Sequence, residues 1–242
     1  MIALIPARVG SKRVTGKNTK FLAGHPLIAY AIAAAKESGV FTYIAVASDD
    51  AAALDIGQRL GVTRIWREPV ADGQADIVWV TQALSNFRED NTSHGRPDTF
   101  AILRPTSPFR TADTIRRAYR AFTVPDGTHD SLRAVEPVTQ HPYKMWTWEG
   151  AGYPIRPLHV GALPDGTPWH SSPTQALPTM YVQNSSIEMG YTANVTAHGT
   201  IHGRKVIPFF TEGYEGFSID YPEQFEWAEQ MVAEGRWVLP TL

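Results

Sequence analysis

The sequence predicts an α/β fold in which helices cover both faces of a mostly parallel sheet. Short apolar runs alternate with amphipathic segments of about 10 to 15 residues through the first half of the chain, which is typical of strands joined by crossover helices. The chain has 242 residues, 43% of them hydrophobic, which is enough for one sizeable core. Cationic and polar segments follow two of the strands, where such sheets bind ligands.

The elements follow from periodicity and from the residues that bound each run. Buried strands are predicted at residues 2–7, 43–50, 62–66, 98–105 and 130–138. Helices are predicted between them at residues 26–39, 51–61, 75–87 and 111–122. Ser48 and Asp49 are candidates for capping the second helix. The pattern resumes later in the chain with a helix at 184–195, a strand at 203–210 and a closing helix at 222–235.

An excursion interrupts this pattern at residues 137–180. It contains eight of the 18 prolines in the chain, between Pro137 and Pro178. The segment is also rich in Trp, Tyr and His, so short strands and turns are expected rather than a linker. We therefore predict a single domain over residues 1–242 that carries an inserted segment at 137–180.

The composition excludes several functional classes. The formal net charge is −2 with 19% charged residues, which does not fit a basic nucleic-acid binder. There are no cysteines, so disulfides and thiolate chemistry are excluded. The N-terminus does not resemble a signal peptide, and no apolar run approaches the length of a membrane span. A cytoplasmic protein with no membrane or nucleic-acid partner is expected.

The segment IPARVGSKRVTGKN, at residues 5–18, carries cations and glycines directly after the first strand. An ATPase phosphate loop needs two glycines separated by four residues, then Lys and a hydroxyl residue. Here five residues separate Gly10 from Gly16, and Asn18 follows Lys17. A dinucleotide fingerprint opens directly into a helix, whereas the next predicted helix begins near Pro26. Spacing excludes both motifs.

A long cationic loop remains, and it fits a polyanion. Arg8, Lys12, Arg13 and Lys17 all lie on it. Gly10 lets the backbone approach a ligand closely, and successive backbone N–H groups can form an anion nest. This concentration of positive charge fits a nucleoside triphosphate better than a single phosphate.

Four motifs, in the expected order, resemble the cytidylyltransferases that make CMP-activated sugars, the acylneuraminate synthetases and their legionaminate and pseudaminate relatives. The first is the loop at 5–18, which resembles their nucleotide signature. The others are LRPTSPFR at 103–110, HPYKMW at 141–146 and SIDYPEQFEWAE at 218–229. The resemblance covers essentially the whole chain.

The resemblance implies a Rossmann-like, three-layer α/β/α nucleotidyltransferase fold, with the excursion serving dimerisation. It implies CMP transfer from CTP to an acid sugar with release of pyrophosphate, and a homodimer. The residues it places at the nucleotide are Ala7, Arg8, Gly10, Ser11, Lys12, Arg13, Lys17, Asn18 and Arg67. Arg8, Lys12 and Lys17 are the predicted catalytic cations, acting by positioning and charge neutralisation.

This sequence departs from the family's metal-binding motif. The family's acidic pair D-I-D reads Ser218-Ile219-Asp220 in this sequence. Magnesium often uses one or two carboxylates together with substrate phosphates, so Asp220 is the predicted ligand of Mg²⁺. A structural role is the alternative and does not exclude metal binding, because Asp220 and Glu223 have the spacing of a helix capping box.

The acceptor motifs depart as well. Arg104 stands where sialate enzymes tend to have Gln, and Val182-Gln183 replaces an Arg-Pro pair before Asn184. We expect an anionic acceptor contacted by Arg104, Lys144, Gln183 and Asn184. The alternatives are a salt bridge for Arg104 and solvent exposure for Lys144.

Three further alternatives concern the reaction itself. The acceptor could be a small phosphonate rather than a nonulosonic acid. The same fold could use GTP rather than CTP. The missing Asp at position 218 also leaves open a nucleotide-binding protein without catalytic activity.

Overall fold

A computed structural model describes residues 1–11, 13–71, 73–90, 95, 97–124 and 129–242. It divides into two compact units. Unit 1 comprises Met1–Val135 and Asn184–Leu242, and unit 2 comprises Glu136–Gln183. Within the described part of the chain, no helix combines the length and apolar character that a membrane crossing requires.

A seven-stranded, mostly parallel sheet forms the centre of unit 1. Its strands are β1 (Ile2–Ala7), β4 (Tyr43–Ser48), β5 (Thr63–Trp66), β6 (Thr99–Ile102), β7 (Ser131–Pro137), β10 (Tyr181–Tyr191) and β11 (Val206–Phe210). Their order across the sheet is β11-β7-β10-β6-β1-β4-β5. β1 pairs in parallel with β4 and β6, β4 with β5, and β11 with β7, whereas β10 runs antiparallel to β6. From β1 the chain adds β4 and β5 on one side and β6 and β7 on the other, and β10 then lies between β6 and β7.

Helices cover both faces of this sheet, as the sequence predicts. The helices are α1 (Leu27–Ser38), α2 (Ala51–Arg59), α3 (Ile77–Asp90), α4 (Ala112–Phe122), α5 (Thr192–His198) and α6 (Pro222–Ala233). Alternate residues of β1 enter different cores: Ile5 packs with residues of α1, α2 and α4, and Leu4 packs with residues of α3 and α5. This period of two is what a strand buried on both faces requires.

A third apolar cluster anchors the cationic loop. Val14 of the loop is 4% exposed and belongs to a cluster with Ile219 and with Phe225 of α6. Lys20 lies over the ring of Phe225, 4.2 Å from its centroid. A short hairpin of β2 (Phe21–Leu22) and β3 (His25–Pro26) joins the loop to α1. The loop is thus packed against the segment that carries the predicted metal ligand.

The helix predicted at 184–195 is wrong. Residues up to Tyr191 belong to β10, and α5 begins only at Thr192. Ser and Gly have low helix propensity. The segment also lies between β6 and β7 in the sheet, where its backbone must be extended to pair with them. A Cβ on Gly190 would lie 3.1 Å from the carbonyl oxygen of Ile201 and 3.3 Å from the ring of Phe100, so a side chain there would need its neighbours to move.

Unit 2 consists mostly of turns and very short strands, as expected for the excursion. A two-stranded pair, β8 (Trp146–Thr147) and β9 (Arg156–Pro157), is its main sheet element. Tyr143 and Trp169 stack with ring centroids 4.1 Å apart and an interplanar angle of 9°. Its boundaries, Glu136–Gln183, lie close to the segment 137–180 that the sequence marks.

Candidate active site

A cavity of about 330 Å³ opens at the carboxyl ends of the central parallel strands. β1, β5 and β6 each contribute residues from, or just after, their final positions. The lining comprises Pro6, Ala7, Arg8, Ser11, Lys17, Asn18, Arg67, Val70, Ala71, Gly73, Gln74, Asp76, Trp79, Arg104, Pro105 and Thr106. This edge of the sheet is where open α/β folds bind ligands.

Most of the predicted nucleotide residues line this cavity. They are Ala7, Arg8, Ser11, Lys17, Asn18 and Arg67. Gly10 is not in the lining, and its φ of 82° supplies the left-handed turn that redirects the loop. Arg13 is also outside the lining and places its guanidinium over the ring of Tyr221, 4.6 Å from the centroid. Lys12 lies outside the described residues.

Arg67 is the most buried cation of the cavity wall, with 3% exposure. Its Nη2 donates to the carbonyl oxygen of Ala7 at 3.0 Å and lies 3.7 Å from Asp49 Oδ1. Burial lowers the pKa of Arg67, and the charge of Arg8 lowers it further, while Asp49 opposes both. Asp49 also accepts from the backbone N–H of Val9 at 3.0 Å, so one carboxylate orients both Arg67 and the loop.

Lys17 and Asp220 form an ion pair at the other end of the loop. Lys17 Nζ lies 3.0 Å from Asp220 Oδ1 and 2.8 Å from the carbonyl oxygen of Ile219. Ser218 Oγ donates to Asp220 Oδ2 at 3.0 Å. Burial favours the neutral acid, but the hydrogen bonds and charges of Lys17, Ser218 and Arg13 outweigh it and lower the pKa of Asp220.

The capping-box alternative for Asp220 is wrong. Helix α6 has Tyr221 as its N-cap residue and Pro222 in its first turn. Gln224 Oε1, not Glu223, accepts from the backbone N–H groups of Asp220 and Tyr221, at 2.7 and 2.9 Å. The carboxylate of Asp220 is therefore directed to Lys17 and Ser218. One carboxylate beside the cavity is a donor set that fits a magnesium ion only where water or phosphate oxygens supply the other ligands.

Arg104 lines the cavity but is already held by two carboxylates. Its guanidinium donates to Glu188 and to Asp76, and Glu188 also pairs with Arg133 at 2.6 Å. Burial opposes the charge of Arg104, but Glu188 and Asp76 outweigh it and raise its pKa. The salt bridge that the sequence leaves open as an alternative is therefore present, and the acceptor contact stays a prediction.

Arg110 of the same motif is fully enclosed, with 1% exposure. Its Nη1 donates to the carbonyl oxygens of Ser186 and Arg104, at 2.5 and 3.2 Å. Burial, with a further contribution from the charge of Arg104, lowers the pKa of Arg110 to about 9. Arg110 thus connects the segment before PTSP (residues 105–108) to β10 through buried hydrogen bonds. It does not line the cavity.

The remaining predicted acceptor residues are divided between the two units, Asn184 in unit 1 and the other two in unit 2. Asn184 Nδ2 donates to Thr211 Oγ1 at 2.9 Å, and Asn184 Oδ1 accepts from the backbone N–H of Ser186. Lys144 and Gln183 belong to unit 2 and are exposed there. Solvent exposure, which the sequence analysis gives as the alternative for Lys144, is therefore present.

Two acidic residues of the site are not predicted from the sequence. Asp49 is named there only as a cap, but the N-cap of α2 is Asp50, whose carboxylate accepts from Ala52 N at 2.9 Å. Asp76 precedes α3 and holds both Arg104 and the indole N–H of Trp79, the latter at 2.8 Å. For Asp49, its place after a parallel strand could have indicated the role.

The architecture defines the class of protein. The fold superimposes on CMP:2-keto-3-deoxy-manno-octonic acid synthetase complexed with CTP with a TM-score of 0.67, at 14% identity, over 97% of this chain and 98% of that one. At that identity the likeness concerns the fold alone. It confirms the predicted α/β fold with a mostly parallel central sheet.

Sequence comparison places the chain more narrowly. A family model described as Cytidylyltransferase matches residues 2–134. The chain therefore belongs to the cytidylyltransferase family, and the resemblance carried by its motifs is confirmed.

Two curated relatives agree with this placement. CMP-N,N'-diacetyllegionaminic acid synthase of Legionella pneumophila is 35% identical over 160 residues, which are 65% of this chain and 66% of the relative. N-acylneuraminate cytidylyltransferase of Streptococcus agalactiae is 33% identical over 157 residues, 64% of this chain and 36% of the relative. The chain thus spans only part of the length of both relatives.

Proposed function

We propose that this protein transfers CMP from CTP to a nonulosonic acid and releases pyrophosphate. The observation that carries the proposal is the cavity at the carboxyl ends of β1, β5 and β6, walled by Arg8, Lys17 and Arg67 in a chain of the cytidylyltransferase family. The names of the relatives support cytidylyl transfer to an acid sugar.

The residues of the cavity suit this chemistry by position and charge. A hydroxyl oxygen of the acceptor forms a bond to the α-phosphorus and loses its proton, while the bond from that phosphorus to the β-phosphate bridging oxygen breaks. Arg8 and Lys17 neutralise the charge that collects on the departing pyrophosphate. Arg67, fixed by Ala7 and Asp49, offers a preorganised donor to the nucleoside end.

Magnesium is the proposed cofactor, and Asp220 is its proposed protein ligand. When bound, magnesium would neutralise phosphate charge beside Lys17. Ser218 supplies a hydroxyl where the family has a second carboxylate, so most ligands must come from phosphate oxygens and water. Asp220 is half-exposed, with 45% of its side chain accessible, so a hydrated ion can reach it.

The acceptor contacts and the dimer also remain proposals. Lys144, Gln183 and Asn184 are proposed to bind the acceptor because they occupy the family's substrate motifs, and Arg104 because it lines the cavity. A homodimer is proposed because unit 2 exposes large apolar side chains, including Trp148 at 64% and Val160 at 87%. Light scattering at micromolar concentration tests the dimer, and a monomeric mass would contradict it.

A pyrophosphate-release screen tests the function. The four NTPs are each combined with nonulosonic acids and with small phosphonates in the presence of Mg²⁺. Release with CTP and a nonulosonic acid, and not with either substrate alone, is the expected result. Release only with GTP, or only with a phosphonate, would support those alternatives instead. No release across the whole panel would refute the proposal of an active transferase.

A further inference from the structure

We propose that Lys17 holds the carboxylate of Asp220 until a nucleotide arrives, so that the protein gains its divalent metal ion only together with the nucleotide. This inference rests on the proposed function, because it takes Asp220 as the metal ligand and the loop as the phosphate site. It concerns the order in which metal and nucleotide bind.

Both oxygens of Asp220 are engaged in the described structure. Oδ1 accepts from Lys17 Nζ at 3.0 Å, and Oδ2 accepts from Ser218 Oγ at 3.0 Å. The ammonium group thus stands where a cation bound to Oδ1 would have to stand. A divalent ion approaching Asp220 must displace Lys17 or approach its positive charge closely, where the two like charges repel each other.

The described residues do not form a ready-made metal site around Asp220. Among the residues that the structure describes, no group of three or more His, Asp or Glu side chains could hold one. Position 218 carries a hydroxyl that donates to Asp220 instead of a second carboxylate. A single carboxylate with water ligands binds magnesium weakly, and dedicated sites rely on further carboxylates or on substrate phosphates.

Lys17 can transfer from Asp220 to a phosphate without a large rearrangement. It lines the cavity, and 13% of its side chain is accessible. The ammonium group sits on a flexible four-carbon stem with three donors. Its neighbours in the loop stay fixed, because Val14 is buried against Ile219 and Phe225. A triphosphate carries more negative charge than one carboxylate, so it competes for Lys17 and leaves Asp220 Oδ1 to the incoming metal.

The inference is tested by Mn²⁺ binding, which is measured by water-proton relaxation with and without CTP and without an acceptor. The wild type should bind Mn²⁺ at least about tenfold more weakly without nucleotide than in the ternary complex, a difference of about 1.4 kcal/mol. Lys17→Ala should tighten nucleotide-free binding by about tenfold. Adding Asp220→Asn to that variant should abolish the gain.

Position 218 provides a matched pair of variants that keep Lys17. Ser218→Asp restores a second carboxylate and should create nucleotide-independent Mn²⁺ binding, whereas Ser218→Ala should not. Lys17→Gln repeats the Lys17 test with a side chain of similar length, in case Lys17→Ala fails to fold. Equal Mn²⁺ affinity of the wild type with and without CTP would overturn the inference. An unchanged nucleotide-free affinity in both Lys17 variants would overturn it as well.

These outcomes separate the inference from the proposed function. If pyrophosphate release succeeds but Mn²⁺ binds the wild type equally well without CTP, only the binding order is wrong. If the Mn²⁺ results follow the prediction but no acceptor releases pyrophosphate, the transferase proposal fails while the Lys17–Asp220 exchange stands.

Discussion

Two groups of cations lie at the same edge of the sheet and behave differently. The loop after β1 presents Arg8 and Lys17 to the cavity, and Lys17 pairs with a half-exposed carboxylate. The motif after β6 instead directs Arg104 to Asp76 and the buried Glu188, which Arg133 shares. From the sequence alone, both the loop after β1 and the motif after β6 are predicted to bind anions.

The difference between them is how completely the charges are neutralised within the protein. In the buried group, Glu188 is 4% exposed and contacts two guanidinium groups, so desolvation makes any unpaired charge expensive. In the loop, the partner of Lys17 is accessible to solvent and exchangeable. Arg104 and Arg133 thus share a buried carboxylate, whereas Lys17 is paired with an accessible one that a ligand can replace.

The largest expected effect comes from breaking the buried group. Glu188→Gln removes the buried carboxylate that Arg104 and Arg133 share and should lower the free energy of unfolding by about 3–5 kcal/mol, because Arg133 loses this counter-charge and Arg104 keeps only Asp76. Denaturant unfolding followed by circular dichroism measures this loss.

The control for that variant is Glu212→Gln, which removes an exposed carboxylate 3.1 Å from Arg117. Glu212 is 76% exposed, so its loss should cost less than about 1 kcal/mol. If Glu188→Gln costs no more than Glu212→Gln, the buried group is not the structural one.

A second variant addresses the loop and should affect ligand binding. Lys17→Ala removes a charge-assisted contact to phosphate and should weaken CTP binding by about 10- to 100-fold, since such hydrogen bonds contribute about 1.5–3 kcal/mol. Isothermal titration calorimetry with CTP measures the change. Lys20→Ala is the matched control, because Lys20 lies over Phe225 and outside the cavity lining. Equal losses in the two variants would mean that only general electrostatics is at work.

The smallest effect is expected at Arg13. Its guanidinium lies over Tyr221 rather than in the cavity lining, so Arg13→Ala should cost about 0.5–1 kcal/mol of stability through the lost cation–π contact. CTP affinity should fall less than in Lys17→Ala. A larger loss of affinity at Arg13 than at Lys17 would show that the nucleotide rearranges the loop and draws Arg13 to the phosphates.

The sequence predicts the parallel part of the fold well because each strand and helix there has its own local pattern. The strands of residues 2–7 and 43–50 and the helices that follow them are confirmed within a few residues. β10 is missed because its extended conformation depends on a place between β6 and β7. Serines and Gly190 give no periodicity that could reveal that place.

The position of the cavity can be predicted from the sequence, because cationic residues follow the ends of strands. The ion pairs within the site cannot be predicted in this way, because their partners are distant in the sequence. The cations of the loop can be identified from one continuous segment of the sequence. The pairing of Lys17 with Asp220, 203 residues apart, and of Arg104 with Glu188, 84 residues apart, depends on tertiary contacts. Charge alone therefore cannot tell a cation that awaits a ligand from one that is already neutralised.

The most direct test of the central claim follows the phosphorus atoms of CTP by ³¹P NMR after addition of a nonulosonic acid and Mg²⁺. We predict that the three CTP resonances give way to one phosphodiester resonance and to pyrophosphate, and that this requires the acceptor. CTP that stays intact with every nonulosonic acid, or that is hydrolysed to CMP without one, would contradict the assignment of the cavity as a CMP-transferring site.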